Sequence, residues 1–210
     1  MIALGAWLLA SDAPGWNTAW FLFGWYGYLV ALDALVGVAA GRSFLDGRLR
    51  ELGAMMFWSV PYWCLFEAYN LVLENWHYVF VPHGELEQGA FAFLAFATVL
   101  PACFFHAELL AAWKVLERTR WPRLRVSTSL QAFLVVFGIA CIALPLVMPR
   151  ETFWMVWAAT LCVPSVVSYN LASGERGPPS LLRDLEAGDP RRVLRLLLGG
   201  LWAGGVWEGL

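Results

Sequence analysis

Charge is what this 210-residue chain has least of. Only 14% of its residues are Asp, Glu, Lys or Arg, whereas 60% are hydrophobic and the mean hydropathy is +0.61. Because soluble domains carry about 25% charged residues, this balance excludes an ordinary soluble protein and favours a chain whose solvent is lipid. The formal net charge of −2 gives no reason to expect nucleic acid as a partner.

Motifs of the common catalytic classes are missing as well. The sequence has no HExxH, Walker loop, GxSxG, GxGxxG or histidine-box pattern, which argues against metalloproteases, nucleotide-driven enzymes and desaturases. The cysteines have no CxxC spacing and are interpreted as small buried hydrophobic residues. They are Cys64, Cys103, Cys141 and Cys162.

Long apolar runs dominate what is present. A helix needs roughly 20 residues to cross about 30 Å of hydrocarbon, and its backbone groups must be satisfied within the helix. The sequence therefore predicts an all-α fold, a polytopic membrane protein with six transmembrane helices in one bundle and a single transmembrane domain over residues 1–210. The six predicted spans are residues 17–40, 52–79, 89–113, 130–148, 152–171 and 193–210.

Basic residues predict the orientation. Every Lys and Arg except Arg150 lies in the first, third or fifth connection between these runs or, for Arg195, at the cytoplasmic start of the sixth run. The positive-inside rule places such connections in the cytoplasm, so both termini are expected on the outer side of a bacterial inner membrane. Residues 1–16 are expected to form an apolar segment on the outer surface or beside the bundle.

The cytoplasmic connection 172–192 is predicted to hold a short amphipathic helix. Ser180 is expected to cap this helix and Gly188 to end it, while Asp189 is expected to cap the sixth span with Pro190 at its first position. The arginines of the connection are expected to contact anionic lipid or, alternatively, a partner protein.

A polar stripe interrupts the second run, within the stretch FEAYNLVLENWHYV. At 100° per residue, Glu67, Asn70, Glu74 and His77 fall within an arc of roughly 80° on one helix face. Ionisable residues inside a membrane are costly and are candidates for functional sites. The stripe is therefore predicted to line a cleft that is open to the outer side.

Three carboxylates are the candidate catalytic residues: Glu67, Glu74 and Glu208. A weak repeat matches Phe66-Glu67 with Trp207-Glu208, which favours an arrangement with Glu67 and Glu208 facing each other across a cleft. A desolvated carboxylate can act as a proton donor or base toward a lipophilic substrate. The alternative is structural, with these groups bonded to neighbouring helices or to interfacial water.

The histidines and tryptophans of the apolar runs are candidates for metal or ligand contacts. Glu74 and His77 have the i, i+3 spacing of di-iron bundles, but the second such pair is missing, and His77 and His106 each lack a partner for haem. No metal site is predicted. The candidate contacts for a lipophilic ligand are Trp63, Asn70, Trp202 and Trp207.

Two further features concern helix packing. Asp33 is predicted to pair with His106 across the first and third spans. The sixth run contains Gly200-x-x-x-Gly204 and Gly205-x-x-x-Gly209, and small residues four apart let helices approach closely in lipid. One glycine face is expected to pack within the bundle, the other against a second chain or a flat ligand.

These features favour one hypothesis and leave two others open. The first is a non-catalytic membrane subunit of a larger bacterial membrane complex, in contact with membrane lipids and other membrane protein subunits, and holding lipid, quinone or pigment. The alternative is a membrane-embedded enzyme that acts on an isoprenoid or lipid through its buried carboxylates. The third is a proton-coupled transporter that depends on the protonation of Glu67 or Asp33.

Overall fold

The computed structural model describes residues 1–10, 19–78, 82, 84–171 and 179–209. Within these ranges the chain is all-helical, with ten helices and no strand. The all-α fold class predicted from the sequence is therefore confirmed. The helices are α1 (Ile2–Ala10), α2 (Trp20–Ala40), α3 (Leu49–Leu73), α4 (Glu85–Phe96), α5 (Val99–Ala112), α6 (Thr128–Val147), α7 (Pro149–Thr152), α8 (Met155–Leu171), α9 (Leu181–Glu186) and α10 (Arg191–Gly209).

Three stretches among the described residues are long and apolar enough to cross a membrane. They are α2, the combined stretch of α4 and α5 (Glu85–Ala112), and α6. A fourth apolar helix, α8, is shorter. These helices support a membrane protein, as the composition predicts.

The helices fall into two compact units. Unit 1 comprises Met1–Leu65, His77–Glu117 and Leu194–Leu210, and unit 2 comprises Phe66–Trp76 and Arg118–Val193. Residues 49–65 of α3 belong to unit 1 and residues 66–73 to unit 2. Unit 1 is thus assembled from three separate stretches of the sequence.

The core of unit 1 forms where one face of α2 meets α5 and α10. Buried residues recur along α2 every three or four positions, which is the period of a helix that buries one stripe. The buried core residues are Trp25, Leu29, Leu32, Val36, Phe44, Ala102, Phe105, Leu109 and Ala203.

Helix α1 lies antiparallel beside α2. A Cβ on Gly5 would lie 2.8 Å from the backbone nitrogen of Gly24, and a Cβ on Gly27 would lie 2.8 Å from Ile2. Such close backbone approach is typical of small residues between helices in lipid. Residues 1–10 therefore lie beside α2, while residues 11–16 of the predicted outer segment lie outside the described residues.

Helices α4 and α5 form one broken helix whose junction is held by hydroxyl groups. Thr98 Oγ1 accepts a hydrogen bond from Trp25 Nε1 at 2.8 Å. Ser59 of α3 accepts from the Leu100 N–H at 3.0 Å and donates to the Phe96 carbonyl. Neighbouring hydroxyls of this kind satisfy backbone groups that a break exposes in an apolar surrounding.

In unit 2, α6 and α8 pack closely through Gly138. A Cβ at this position would lie 2.9 Å from a side-chain atom of α8. Residues 66–73 pack on the same two helices, because the Phe66 ring stacks on Trp157 at 4.4 Å and the Tyr69 hydroxyl donates to the Ile142 carbonyl at 2.9 Å. The last two turns of α3 are thereby fixed in unit 2.

The four cysteines are free, but they are not all buried. Cys141 is buried, Cys103 and Cys162 are half-buried, and Cys64 is exposed. The prediction of four buried cysteines is therefore wrong at Cys64. An apolar run does not tell which side of the helix faces the core.

The connection before α10 partly follows its prediction. Helix α9 is present, Gly188 follows it with a φ of 77°, and Asp189 Oδ1 accepts from the Arg191 N–H at 3.1 Å. A side-chain bond from Arg191 lowers the pKa of Asp189. Ser180 occupies the N-cap position of α9, but its hydroxyl makes no capping hydrogen bond.

Candidate functional site

The polar stripe predicted on the second span does not lie on one helix face. Helix α3 ends at Leu73, Glu74 has a φ of 49°, and His77 lies in the non-helical stretch that follows. Glu74 and His77 are both exposed. The prediction of a helix over residues 52–79 is therefore wrong for residues 74–78, and residue 79 lies outside the described residues. The helical i, i+3 relation of Glu74 and His77 does not form.

Asn70 explains where α3 ends. Its Oδ1 accepts from the Asn75 N–H at 2.9 Å and from the Trp76 N–H at 3.3 Å, while its Nδ2 donates to the Trp76 carbonyl at 2.8 Å. The last turn of a helix leaves backbone groups without helical partners, and polar side chains satisfy such groups. The Asn70 amide thus folds residues 74–76 back toward the helix.

Glu67 lies beside this turn. It is half-buried, and Trp76 Nε1 donates to its Oε1 at 3.3 Å. Its neighbour Phe66 is fully buried. The structure thus gives Glu67 an indole donor, and the acid–base role of this carboxylate stays a prediction.

Glu208, the third candidate carboxylate, lies on α10 and is exposed. It belongs to unit 1, whereas Glu67 and Glu74 belong to unit 2. A cleft between Glu67 and Glu208 therefore stays a prediction.

The tryptophans predicted to contact a lipophilic ligand all pack against side chains of unit 1. Such aromatic pairs add stability beyond the area they bury. Trp63 Nε1 donates to the Tyr78 hydroxyl at 3.1 Å, Trp202 lies 5.1 Å from the His106 ring, and Trp207 meets Trp25 edge-on at 4.9 Å.

A polar contact in unit 1 that the sequence did not predict joins Tyr28 to His106. His106 is fully buried. Its Nδ1 lies 2.7 Å from the Ala102 carbonyl, which can only accept, so Nδ1 carries the proton of the neutral ring. Nε2 then accepts from the Tyr28 hydroxyl at 2.6 Å. Both ring nitrogens are engaged within the unit.

The predicted pair of Asp33 and His106 is wrong. Asp33 is 2% exposed, and its two oxygens accept from the backbone N–H groups of Phe44 at 2.8 Å and Leu45 at 3.2 Å. These donors lie in the turn that follows α2. Asp33 therefore holds the connection between α2 and α3 against the end of α2.

Arg48 forms a second cluster next to this turn. Its guanidinium bonds Glu108 at 2.7 Å and Glu51 at 2.6 Å and lies 4.0 Å over the Phe44 ring. The bond to Glu51 is the main cause that raises the pKa of Arg48, and the same bond lowers the pKa of Glu51. The i, i+3 spacing of Arg48 and Glu51 was visible in the sequence, whereas nothing marked Glu108 as a partner.

No group of three His, Cys, Asp or Glu side chains in the described part of the chain lies close enough to hold a metal ion. Comparisons of the chain with protein-family models, curated proteins and solved structures found no match. Fold and sites together define an all-helical protein with three helices able to cross a membrane. Its buried His106 and Asp33 bond to neighbouring helices and turns.

Proposed function

We propose that the protein is a non-catalytic integral membrane subunit of a larger complex in a bacterial inner membrane. In this proposal it crosses the membrane six times with both termini on the outer side. It packs against helices of partner proteins and holds lipid, quinone or pigment between them.

The proposal rests on the hydrogen bonds that the buried polar groups form with neighbouring groups. Both nitrogens of His106 and both oxygens of Asp33 are bonded to neighbouring groups. Unsatisfied polar groups cost several kcal/mol in lipid, so such bonds hold helices together. Groups engaged in this way favour a structural role over proton transfer.

Helix α10 offers a surface for a partner. Gly199 is packed within unit 1, where a Cβ would lie 2.8 Å from the Cys103 carbonyl. Gly204 and Gly205 face open space in the described structure, and Leu201 beside them is 74% exposed. Small residues favour close helix contacts in lipid, so this open side is suited to a helix of another chain.

Native mass spectrometry of protein released gently from its own membrane tests the proposal. We expect a defined complex with other membrane proteins. Gly204→Leu is expected to reduce the complexed fraction at least tenfold, because a leucine keeps the partner helix away. Gly53→Leu is the matched control, since Gly53 also faces open space but lies on α3. A stable wild-type protein that appears alone and without ligand contradicts the proposal.

A membrane-embedded enzyme is the second candidate, and the contact between Glu67 and the Trp76 indole favours it. Glu67→Gln would then abolish the conversion of an isoprenoid or lipid substrate while the fold is kept. Glu85→Gln, which changes an exposed carboxylate that is not a catalytic candidate, is the control and should leave the conversion unchanged. Unchanged lipid composition in membranes that carry Glu67→Gln removes this candidate.

A further inference from the structure

Three arginines of residues 118–125 carry positive charge that no described carboxylate neutralises in an ion pair. This segment lies between α5 and α6 and is non-helical throughout. Arg118, Arg123 and Arg125 are exposed, and none of them forms an ion pair with a residue that the structure describes. Exposed cations that form no ion pair are available to an anionic partner.

Other arginines of unit 2 differ in this respect. Those around α9 were predicted to contact anionic lipid, but they are paired with carboxylates of their own unit. The pairs are Arg183 with Glu186 at 4.0 Å, Arg191 with Asp189 at 2.7 Å and Arg192 with Asp184 at 3.2 Å. Apart from Arg150 on α7, the described arginines of unit 2 without an ion pair to a described residue are therefore Arg118, Arg123 and Arg125.

The backbone of this segment is held in place. The Trp121 N–H donates to the Gly188 carbonyl at 3.2 Å, and the Leu124 N–H donates to the Leu185 carbonyl at 3.0 Å. Val126, which follows the segment, is buried. A fixed backbone reduces the entropy that a binding surface loses when its ligand arrives.

The depth of the segment follows from α6. This helix has 20 residues, so at 1.5 Å per residue its length is about 30 Å, the thickness of the hydrocarbon core. Its exposed side chains include Phe133 and Val136, which suit contact with acyl chains. Arg125 lies three residues before Thr128, the first residue of α6. Where α6 crosses the membrane, the segment lies at the level of the headgroups.

Apolar side chains are interleaved with the arginines. Trp121 is 49% exposed and Leu124 is 38% exposed. Tryptophan is enriched at the membrane interface, where its ring reaches the glycerol region and its N–H meets water. The alternation of Arg, Trp and Leu fits a surface that contacts both charged headgroups and the acyl boundary.

We propose that residues 118–125 bind the phosphate headgroups of anionic glycerophospholipids in the protein's own membrane. The guanidinium of arginine donates two parallel hydrogen bonds that match phosphate oxygens. Arg118, Arg123 and Arg125 supply this contact, while Trp121 and Leu124 lie toward the acyl chains. The surface depends on α6 crossing the membrane and is independent of whether the protein is a subunit or an enzyme.

The test is a lipid titration of the full-length protein in mixed micelles, with bound lipids resolved by native mass spectrometry. Phosphatidylglycerol is the anionic probe and phosphatidylcholine the zwitterionic comparison. Arg123→Gln/Arg125→Gln is expected to weaken phosphatidylglycerol binding about 30-fold, which corresponds to about 1 kcal/mol for each basic residue near an anionic surface. Arg183→Gln/Arg192→Gln removes the same charge from arginines that are already paired, and should weaken binding less than threefold.

Two further measurements separate the loss of charge from a folding defect. Arg123→Lys/Arg125→Lys keeps the charge and should retain most of the binding, and the thermal unfolding of all variants reports the fold. Equal binding of both lipids by the wild type overturns the proposal. Unchanged binding by Arg123→Gln/Arg125→Gln overturns it too, as does an equal loss in the paired-arginine control. Loss of a co-purifying acidic protein, with lipid binding unchanged, assigns the surface to a protein partner instead.

Discussion

The buried polar residues of unit 1 show what one sequence can and cannot predict about partners. Asp33 and His106 were both recognised as unusual inside apolar runs, but the pair predicted between them does not form. Asp33 instead accepts from the backbone of Phe44 and Leu45. Every residue except proline has such an N–H, so no side chain at these positions identifies the donor.

The Tyr28–His106 pair leads to a prediction about stability. Tyr28→Phe leaves His106 Nε2 buried without a donor, which is expected to lower the free energy of unfolding by about 1–3 kcal/mol. Thermal unfolding in detergent measures the change.

Tyr26→Phe is the matched control for this prediction. The Tyr26 hydroxyl donates to the Leu94 carbonyl at 2.9 Å in an exposed position, so its loss should cost less than about 1 kcal/mol. If both variants lose the same stability, the bond to His106 contributes no more to the free energy of unfolding than an exposed hydrogen bond does.

Helix boundaries were predictable where the sequence changes from apolar to charged or polar residues. They were not predictable where a single side chain ends the helix. The predicted spans 17–40 and 130–148 agree closely with α2 and α6. The second predicted span extends past Leu73, because no glycine or proline marks the end of α3. The amide of Asn70 ends it, and an asparagine on a polar stripe gives no indication of that role.

Helix α10 leads to a prediction that compares two of its glycines. Gly199→Ala is expected to destabilise the protein by about 1–3 kcal/mol, because the new Cβ would lie 2.8 Å from the Cys103 carbonyl and the backbone would have to move. Gly204→Ala places its Cβ in open space and replaces glycine within a helix. It is expected to be neutral or to stabilise by up to about 1 kcal/mol.

Thermal unfolding of the two variants in the same detergent decides this prediction. A loss of stability in Gly204→Ala equal to that in Gly199→Ala would mean that both sides of α10 are packed. A neutral Gly199→Ala would mean that α5 and α10 separate easily.

The membrane class of the whole molecule follows from composition, but the number of crossings does not. Helices α3, α8 and α10 contribute the other proposed spans, and at 1.5 Å per residue α8 extends about 26 Å, slightly less than the hydrocarbon core. The division into two units was also beyond the sequence analysis, since unit 1 combines stretches that are far apart along the chain.

The proposed topology predicts which positions react from outside the cell. In a variant whose native cysteines are replaced by alanine, a membrane-impermeant maleimide should label Glu151→Cys on intact cells. Asp46→Cys should be labelled only after the cells are permeabilised. Both residues are exposed in the structure, so the barrier is the membrane itself. The reverse labelling pattern would contradict the proposed orientation.

The contact between Trp25 and Trp207 has a consequence for biosynthesis. The first long helix leaves the ribosome well before its core partner on α10 has been made. At about 5–20 residues per second, Trp25 waits about 10–40 s for Trp207. During that time the face of α2 that will pack on α10 contacts lipid or other helices instead. The core of unit 1 is therefore completed only after α10 has been made, and a ribosome that stalls before α10 leaves that core incomplete.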